Sequence, residues 1–509
     1  MNQTNQYYPL IPMDYPDPDI IRVEDVYYMV TTTMHFMPGC EILRSYDLVN
    51  WEHFTYVFDV LDCSSKQTLQ GDENAYGKGM WAASLRYHKG VFYLCFVAND
   101  TGKTYLFRTN DMEGVWVRNE IRGFYHDPSL LFDDDDRVYI AYGNKDIYLT
   151  ELKRDLSGPL EGGLHRLLIS DEGNQRLGFE GTHFYKINGK YYLFFIHSKR
   201  EEWRRVEACY MSDSLSGVFK GGDVFDDDNG YCNQGIAQGG IVDTPDGSWF
   251  GILFQDYGAA GRFPVLLPVY WKDDFPVFGM DGKVPAEIPT IAAKTDHWYA
   301  PLFDSDDFIP VWQGNVKDNR RNYGCFGLKS VWQFNHIPDL SLIQMDYDAG
   351  KISVRTDKLC ENLTQARNIL TQRMRYPSCA GEITIDALGL KVGDYAGICV
   401  LQADFGMVAV TRKENGYYIV MGNREKTEWE SVPIEHSIVE LRLEAEFTNM
   451  TDVSSFYYRK DAEWVKIGIT HKLKFDLNHF AGCRFGLFVY ANKQIGGQAD
   501  FMRFRYLQG

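Results

Sequence analysis

The sequence predicts an all-β protein: a five-bladed β-propeller followed by a β-sandwich. Two observations carry the first half. A short aromatic strand recurs five times in the first 260 residues, at Val26–Val30, Val91–Phe96, Val138–Tyr142, Tyr191–Phe195 and Trp249–Phe254. Self-similarity at intervals of about 45 to 65 residues is the signature of blades built from four strands with variable loops. A second strand follows the first in several units and ends in a Ser/Thr and Asp turn before an aromatic residue. Examples are Leu43–Leu48 before Trp51, Phe107–Met112 before Trp116 and Tyr210–Leu215 before Phe219. Such side chains hydrogen-bond their own backbone in turns.

The second half shows strict alternation instead. Ile352–Arg355, Glu382–Asp386, Leu441–Ala445 and Phe501–Tyr506 alternate apolar and polar residues. Many short strands with one apolar face predict a sandwich. Between the two patterns, Gly279, Gly282, Pro285, Pro289 and Pro301 mark a connector. The expected domains are a propeller over 1–285, a linker over 286–309 and a sandwich over 310–509.

One position of the repeat is chemically loaded. Ten or eleven residues before Tyr27, Phe92, Val138, Tyr191 and Trp249, where each aromatic pattern opens, stand Asp17, Trp81, Asp127, Glu180 and Gln238. Equivalent positions of successive blades face the same central axis, so three acids, an indole and an amide should converge there. Paired carboxylates on facing elements suit glycoside hydrolysis: one protonated to donate to the leaving oxygen, the other ionised to activate water. A third carboxylate raises a neighbour's pKa by like-charge repulsion.

Composition narrows the partners. The 509-residue chain carries a formal charge of −18, which argues against nucleic acid and anionic membranes. Aromatic residues make up 15%, which suits flat platforms for sugar rings as well as all-β cores. Ten scattered Cys form no CxxC pair, and Cys95 and Cys399 read as small buried hydrophobes. No basic and apolar leader precedes Tyr8 and no run approaches membrane-spanning length, so the sequence reads as cytoplasmic. Asp133–Asp136 reads as a solvated turn. The oligomeric state is not legible.

Three motifs, Tyr15-Pro-Asp-Pro-Asp-Ile20, His126-Asp-Pro-Ser-Leu130 and Phe179-Glu-Gly-Thr-His-Phe-Tyr-Lys186, resemble the acid motifs of glycoside hydrolase family 43 in order and spacing. That family's five-bladed propellers act with inversion. The resemblance implies Asp17 as general base, Glu180 as general acid and Asp127 as the residue that tunes and orients the acid. Gly79–Tyr87 resembles the segment whose Trp, here Trp81, walls the sugar pocket. Gly261–Pro264 resembles the segment whose Arg, here Arg262, binds sugar hydroxyls; an ion pair with Asp256 is the structural alternative.

Two departures bear on specificity. Many relatives carry a His beside a hydrated calcium where this chain has Gln238. No cofactor is required, and an amide oxygen leaves a Ca2+ ion on the propeller axis open. Many β-xylosidases have Phe where this chain has Met34. The surroundings of Met34, Trp81 and Gln238 resemble a subgroup rich in α-L-arabinofuranosidases, with Met34 and Phe36 as loop residues that choose the sugar. Leu328–His336, Leu370–Met374 and Asp394–Ile398 resemble the C-terminal sandwich of exo-acting members. The expected activity is release of terminal α-L-arabinofuranosyl groups, and of β-xylosyl groups, from short arabinoxylan-derived oligosaccharides. The rivals are a dedicated β-xylosidase, an endo-arabinanase and a non-catalytic sugar-binding propeller.

Overall fold

Each aromatic repeat becomes the second strand of a four-stranded antiparallel blade, and each loaded position falls at the start of the innermost strand. The computed structural model describes residues 8–288, 296–309 and 327–509. The innermost strands are Asp19–Val23, Met80–His88, Ser129–Phe132, Glu180–Ile187 and Ala237–Asp243. In every blade the four strands pair in chain order. The second sequence repeat forms the third strand of its blade, as in Gly39–Ser45, Lys103–Thr109 and Arg205–Ser212. The turn after it forms as expected: the Asp47 carboxylate accepts the N–H groups of Val49 and Asn50.

The aromatic excess fills the wedges between blades. Five separate apolar clusters each join two neighbouring blades, and the last joins blade 5 to blade 1 through Val242, Phe250 and Ile252 packed on Ile20 and Met29. The ring therefore closes by side-chain burial, the main driving force available to a blade that cannot cover its own faces.

A polar staple closes the axis. Asp19 of blade 1 accepts the Leu85 N–H and the Arg86 guanidinium of blade 2, each at 2.7 Å, and its other oxygen lies 3.1 Å from His183 Nδ1 of blade 4. Arg86 also donates to the Leu130 carbonyl and Ser129 hydroxyl of blade 3. Tyr185 Oη accepts the Ile241 N–H of blade 5. Asp19 with its partners Arg86 and Tyr185 thus ties all five blades, and its buried charge avoids a large cost because those partners are complete.

The sandwich stacks two seven-stranded sheets. One sheet runs Gln333–Phe334, Leu370–Arg373, Arg484–Ala491, Asp394–Leu401, Gly406–Lys413, Gly416–Asn423 and Glu430–Ile434. The other runs Ile343–Asp346, Lys351–Arg355, Gln498–Gln508, Ser378–Asp386, Ile438–Glu446, Val453–Lys460 and Glu463–Lys472. All four alternating stretches of the sequence lie in this second sheet, where alternate residues such as Leu441 and Leu443 are buried. Arg484–Ala491 and Asp394–Leu401 are buried at every position instead. Their sheet is covered on one face by its partner and on the other by a cluster that includes Met34 and Phe36 of the propeller. Strands covered on both faces lose alternation.

The sandwich is fastened to blade 1. Met37 and Phe334 exchange backbone hydrogen bonds. The buried Arg373 pairs with the buried Glu41 at 2.7 Å and donates to the Asp14 carbonyl. Blade 5 ends at Phe278, and Asp306 already bridges Phe504 in the sandwich. Residues 289–295 of the predicted linker, residue 310 at the predicted sandwich start and Cys325 lie outside the described residues. Asp133–Asp136 is a turn whose acids engage Lys186, Arg137 and Lys89. Among the described residues no helix is long and apolar enough to cross a membrane.

Candidate active site

Left-handed backbone at the mouth of the channel sets the catalytic geometry. Asp17, Asp127 and Gln238 have φ of 52°, 44° and 60°, and Gly181, just after Glu180, has φ of 64°. Non-glycine residues in this region cost about 1–2 kcal/mol each, and such strain collects at functional sites. The pairing of the innermost strand slips at Glu180–His183 and at Ala237–Gly239. These bulges re-aim the side chains that precede the regular ladder.

The three acids have unequal surroundings. Asp17 is buried and accepts the Arg262 Nη1 hydrogen at 2.8 Å. Burial pushes its carboxyl above the ordinary range, Arg262 and Thr32 pull it back, and Asp127 and Asp14 push it up again. Asp127 is buried and accepts the Gly181 N–H at 2.9 Å. Burial and the charge of Glu180 raise it, while His126 opposes. Glu180 is the most open of the three, with its side chain 23% exposed, and accepts from Asn144 Nδ2 at 2.5 Å.

His126 completes this group. Its Nε2 lies 3.6 Å from Asp127 and 4.0 Å from Glu180. Burial lowers the imidazole, but Asp127 and Glu180 outweigh that and hold it up at about 9. Its ring nitrogen thus faces both carboxyls, within 4.0 Å of each. Sequence reading quoted it as part of a motif and gave it no role.

The pocket wall joins both domains. Trp81, partly exposed, meets His126 edge-on at 6.1 Å and Phe480 of the sandwich at 5.2 Å between ring centroids. Arg262 Cζ lies 4.8 Å from the Phe480 ring and 5.3 Å from Phe254. Its Nε and Nη2 are buried without a hydrogen-bond partner. The alternative partner for Arg262 falls away, because Asp256 pairs with Arg205. Asp14 holds the site from behind: one carboxylate oxygen accepts the Arg262 N–H and the other accepts the Gly482 N–H of the sandwich.

Met34, Phe36 and Gln238 sit behind the surface. Met34 is buried, and its backbone pairs with Met80. Phe36 is fully buried, with Arg484 Cζ 3.6 Å from its ring centroid and His35 and His479 at its sides. Its place is in the seam between domains. The carboxamide of Gln238 lies against Gly181, where an added Cβ would come within 2.4 Å of Gln238 Cδ.

Candidate ligands for a calcium ion are few among the described residues. On the axis, the Asp19 carboxylate is engaged by Arg86. Among the described residues, His126, Asp127 and Glu180 bring three ligand atoms within 4.8 Å of one another. Calcium takes six to eight oxygens, so these two carboxylates would hold one only with water completing its shell.

Three carboxyls of unequal exposure, beside Trp81, Phe480 and Arg262, suit acid–base cleavage of a bond between sugars. The propeller and this site define a glycoside hydrolase. Residues 7–276 match the model of glycosyl hydrolases family 43, and residues 326–507 match that of the beta xylosidase C-terminal concanavalin A-like domain; the chain belongs to glycoside hydrolase family 43. It is 25% identical to a beta-xylosidase of Formosa agariphila, covering 98% of this chain and 89% of that protein. It is 29% identical to a non-reducing end alpha-L-arabinofuranosidase of Bacteroides ovatus, covering 54% of each. Among solved structures, a bifunctional GH43-CE protein of Bacteroides eggerthii superposes with a TM-score of 0.89 at 41% identity. That match covers 98% of this chain and 63% of the other, so this chain spans under two thirds of that relative's length. Family membership removes the sugar-binding propeller as a reading.

Proposed function

We propose that this protein is an inverting exo-glycosidase that removes terminal α-L-arabinofuranosyl groups, and β-xylosyl groups, from short arabinoxylan-derived oligosaccharides. The observation that carries it is Arg262. One nitrogen grips Asp17, and two more are buried with no partner beside it. An unpaired buried donor is costly, and a terminal sugar offers adjacent hydroxyls at the spacing of a guanidinium fork. Phe480 stands over that fork and against Trp81, which favours a blind pocket for a chain end over an open groove.

In this reading Glu180 protonates the leaving oxygen. It is the acid nearest solvent, where an aglycone would lie. Asp17, ionised through Arg262, takes a proton from water attacking the opposite face of the sugar. His126 lies between Asp127 and Glu180 and orients the acid, and Asp127 secures the Gly181 turn. Glu180→Ala should lower turnover on oligosaccharides by about 10²–10⁴-fold, and much less on aryl glycosides whose leaving groups need little protonation. Normal oligosaccharide turnover by Glu180→Ala would remove its assigned role.

A dedicated β-xylosidase is the second reading, favoured by the sandwich model's description and the F. agariphila relative's name. Parallel assays on 4-nitrophenyl α-L-arabinofuranoside and β-D-xyloside decide between them.

A further inference from the structure

Glu207 is a fully buried carboxyl that the chemistry above does not use. It lies in the third strand of blade 4, and among the described residues no cation pairs with it. Its Oε2 accepts the Gln238 N–H at 2.7 Å, and its Oε1 has no partner. Two independent features connect it to the proton donor.

The first is register. Glu180 pairs with Ile196, and Ile196 pairs with Glu207, so the three form one row across the blade. Neighbouring strands are about 4.8 Å apart, which puts the two acids two strands apart in the same row. The second is the bulge at Gln238. The ladder passes from Ala237–Phe254 to Gly239–Leu253 and leaves Gln238 as the extra residue. Glu207 supplies the acceptor its N–H requires. Held with φ at 60°, Gln238 lays its carboxamide against Gly181, the residue whose N–H is fixed on Asp127 and whose neighbour is Glu180.

We propose that Glu207 is a positioning residue for the proton donor: through Gln238 it fixes the turn at Gly181 and so aims Glu180 at the leaving oxygen. The inference rests on the reading of Glu180 as the acid. Burial raises the Glu207 carboxyl well above the ordinary range, opposed only by the Gln238 N–H. What the turn needs from it is an acceptor for the Gln238 N–H, a task a glutamine can perform.

The test compares Glu207→Leu, Glu207→Gln and Gln238→Ala on two glycosides of the cleaved sugar, one with a methyl and one with a 4-nitrophenyl aglycone. Glu207→Leu should lose about tenfold or more in kcat on the methyl glycoside and under about threefold on the aryl one, with KM steady, because only the acid step is misaligned. Glu207→Gln should restore the methyl rate. If Glu207→Leu does not fold, Gln238→Ala carries the same expected signature with Glu207 intact. Equal losses on both glycosides, no loss, or a Gln variant as impaired as the Leu variant would overturn the proposal. Glu180→Ala in parallel separates the two ideas: leaving-group dependence there but not at Glu207 overturns only the positioning role, and its absence at Glu180 overturns the acid assignment as well.

Discussion

Asp17 and Asp19 are separated by one proline and sit in opposite conditions. Asp19, on the axis, has both oxygens engaged by Arg86, the Leu85 N–H and His183. Burial works against its charge, yet those partners hold its carboxyl below the ordinary range. Asp17, at the mouth, has one strong partner, and burial leaves it raised. The same contrast separates Arg86, whose nitrogens are engaged across three blades, from Arg262, which keeps two bare. Complete hydrogen bonding marks the part of the channel that holds the ring together. Unfinished hydrogen bonding marks the part that waits for a sugar.

The largest expected effect tests that division through stability. Asp19→Ala strands the Arg86 cation and should cost about 3–5 kcal/mol in urea unfolding. Glu180→Ala should cost under about 1 kcal/mol, because its side chain is partly solvated. Similar losses in both would break the comparison.

Mild acid sharpens it. Behind the mouth, His35, His336, His479 and Tyr76 pack ring on ring between the domains, with His35 5.1 Å from each of the other two histidines. Burial, with Lys358 and neighbouring His479, lowers His336 to about 3; burial and Arg484 lower His479 to about 3, against a small opposite push from Asp476. Burial chiefly, then the other two histidines and Arg484, keeps His35 well below its ordinary value. A histidine depressed on folding contributes stability that is complete above its unfolded value near 6.5 and is lost as pH falls toward its folded value. Asp19, depressed from a carboxylate's value, loses its contribution only below about pH 4. Between those limits the seam weakens and the axis does not. From pH 6.5 to 5.5, His336 and His479 together should cost about 2 kcal/mol. The double Asn variant should remove that part of the slope in urea midpoints and leave the part due to His35.

The smallest effect concerns the wall. Phe480→Ala should raise KM about tenfold, roughly 1.4 kcal/mol, for the preferred aryl glycoside with a smaller change in kcat. An unchanged KM would detach the sandwich from the pocket.

The repeat in the sequence located the loaded position of all five blades, because blade strands keep a steady length and aromatic residues must fill the wedges between them. Phe480 stayed hidden because it reaches Trp81 from a loop some 400 residues away, which no local pattern encodes. Glu207 stayed hidden because its row with Glu180 is a cross-strand register. Gln238, expected beside the substrate with a Ca2+ ion left open, has its carboxamide against Gly181. Phe36, expected to choose the sugar, lies in the seam under Arg484, packed against sandwich residues that no local pattern places beside it.

The central claim is that Asp17 activates water on the face opposite the bond Glu180 protonates. Proton NMR of the sugar released in the first minutes tests it directly. The account predicts the anomer of inverted configuration, followed by slow mutarotation. A first-formed product of retained configuration would contradict it and would make Asp17 a nucleophile.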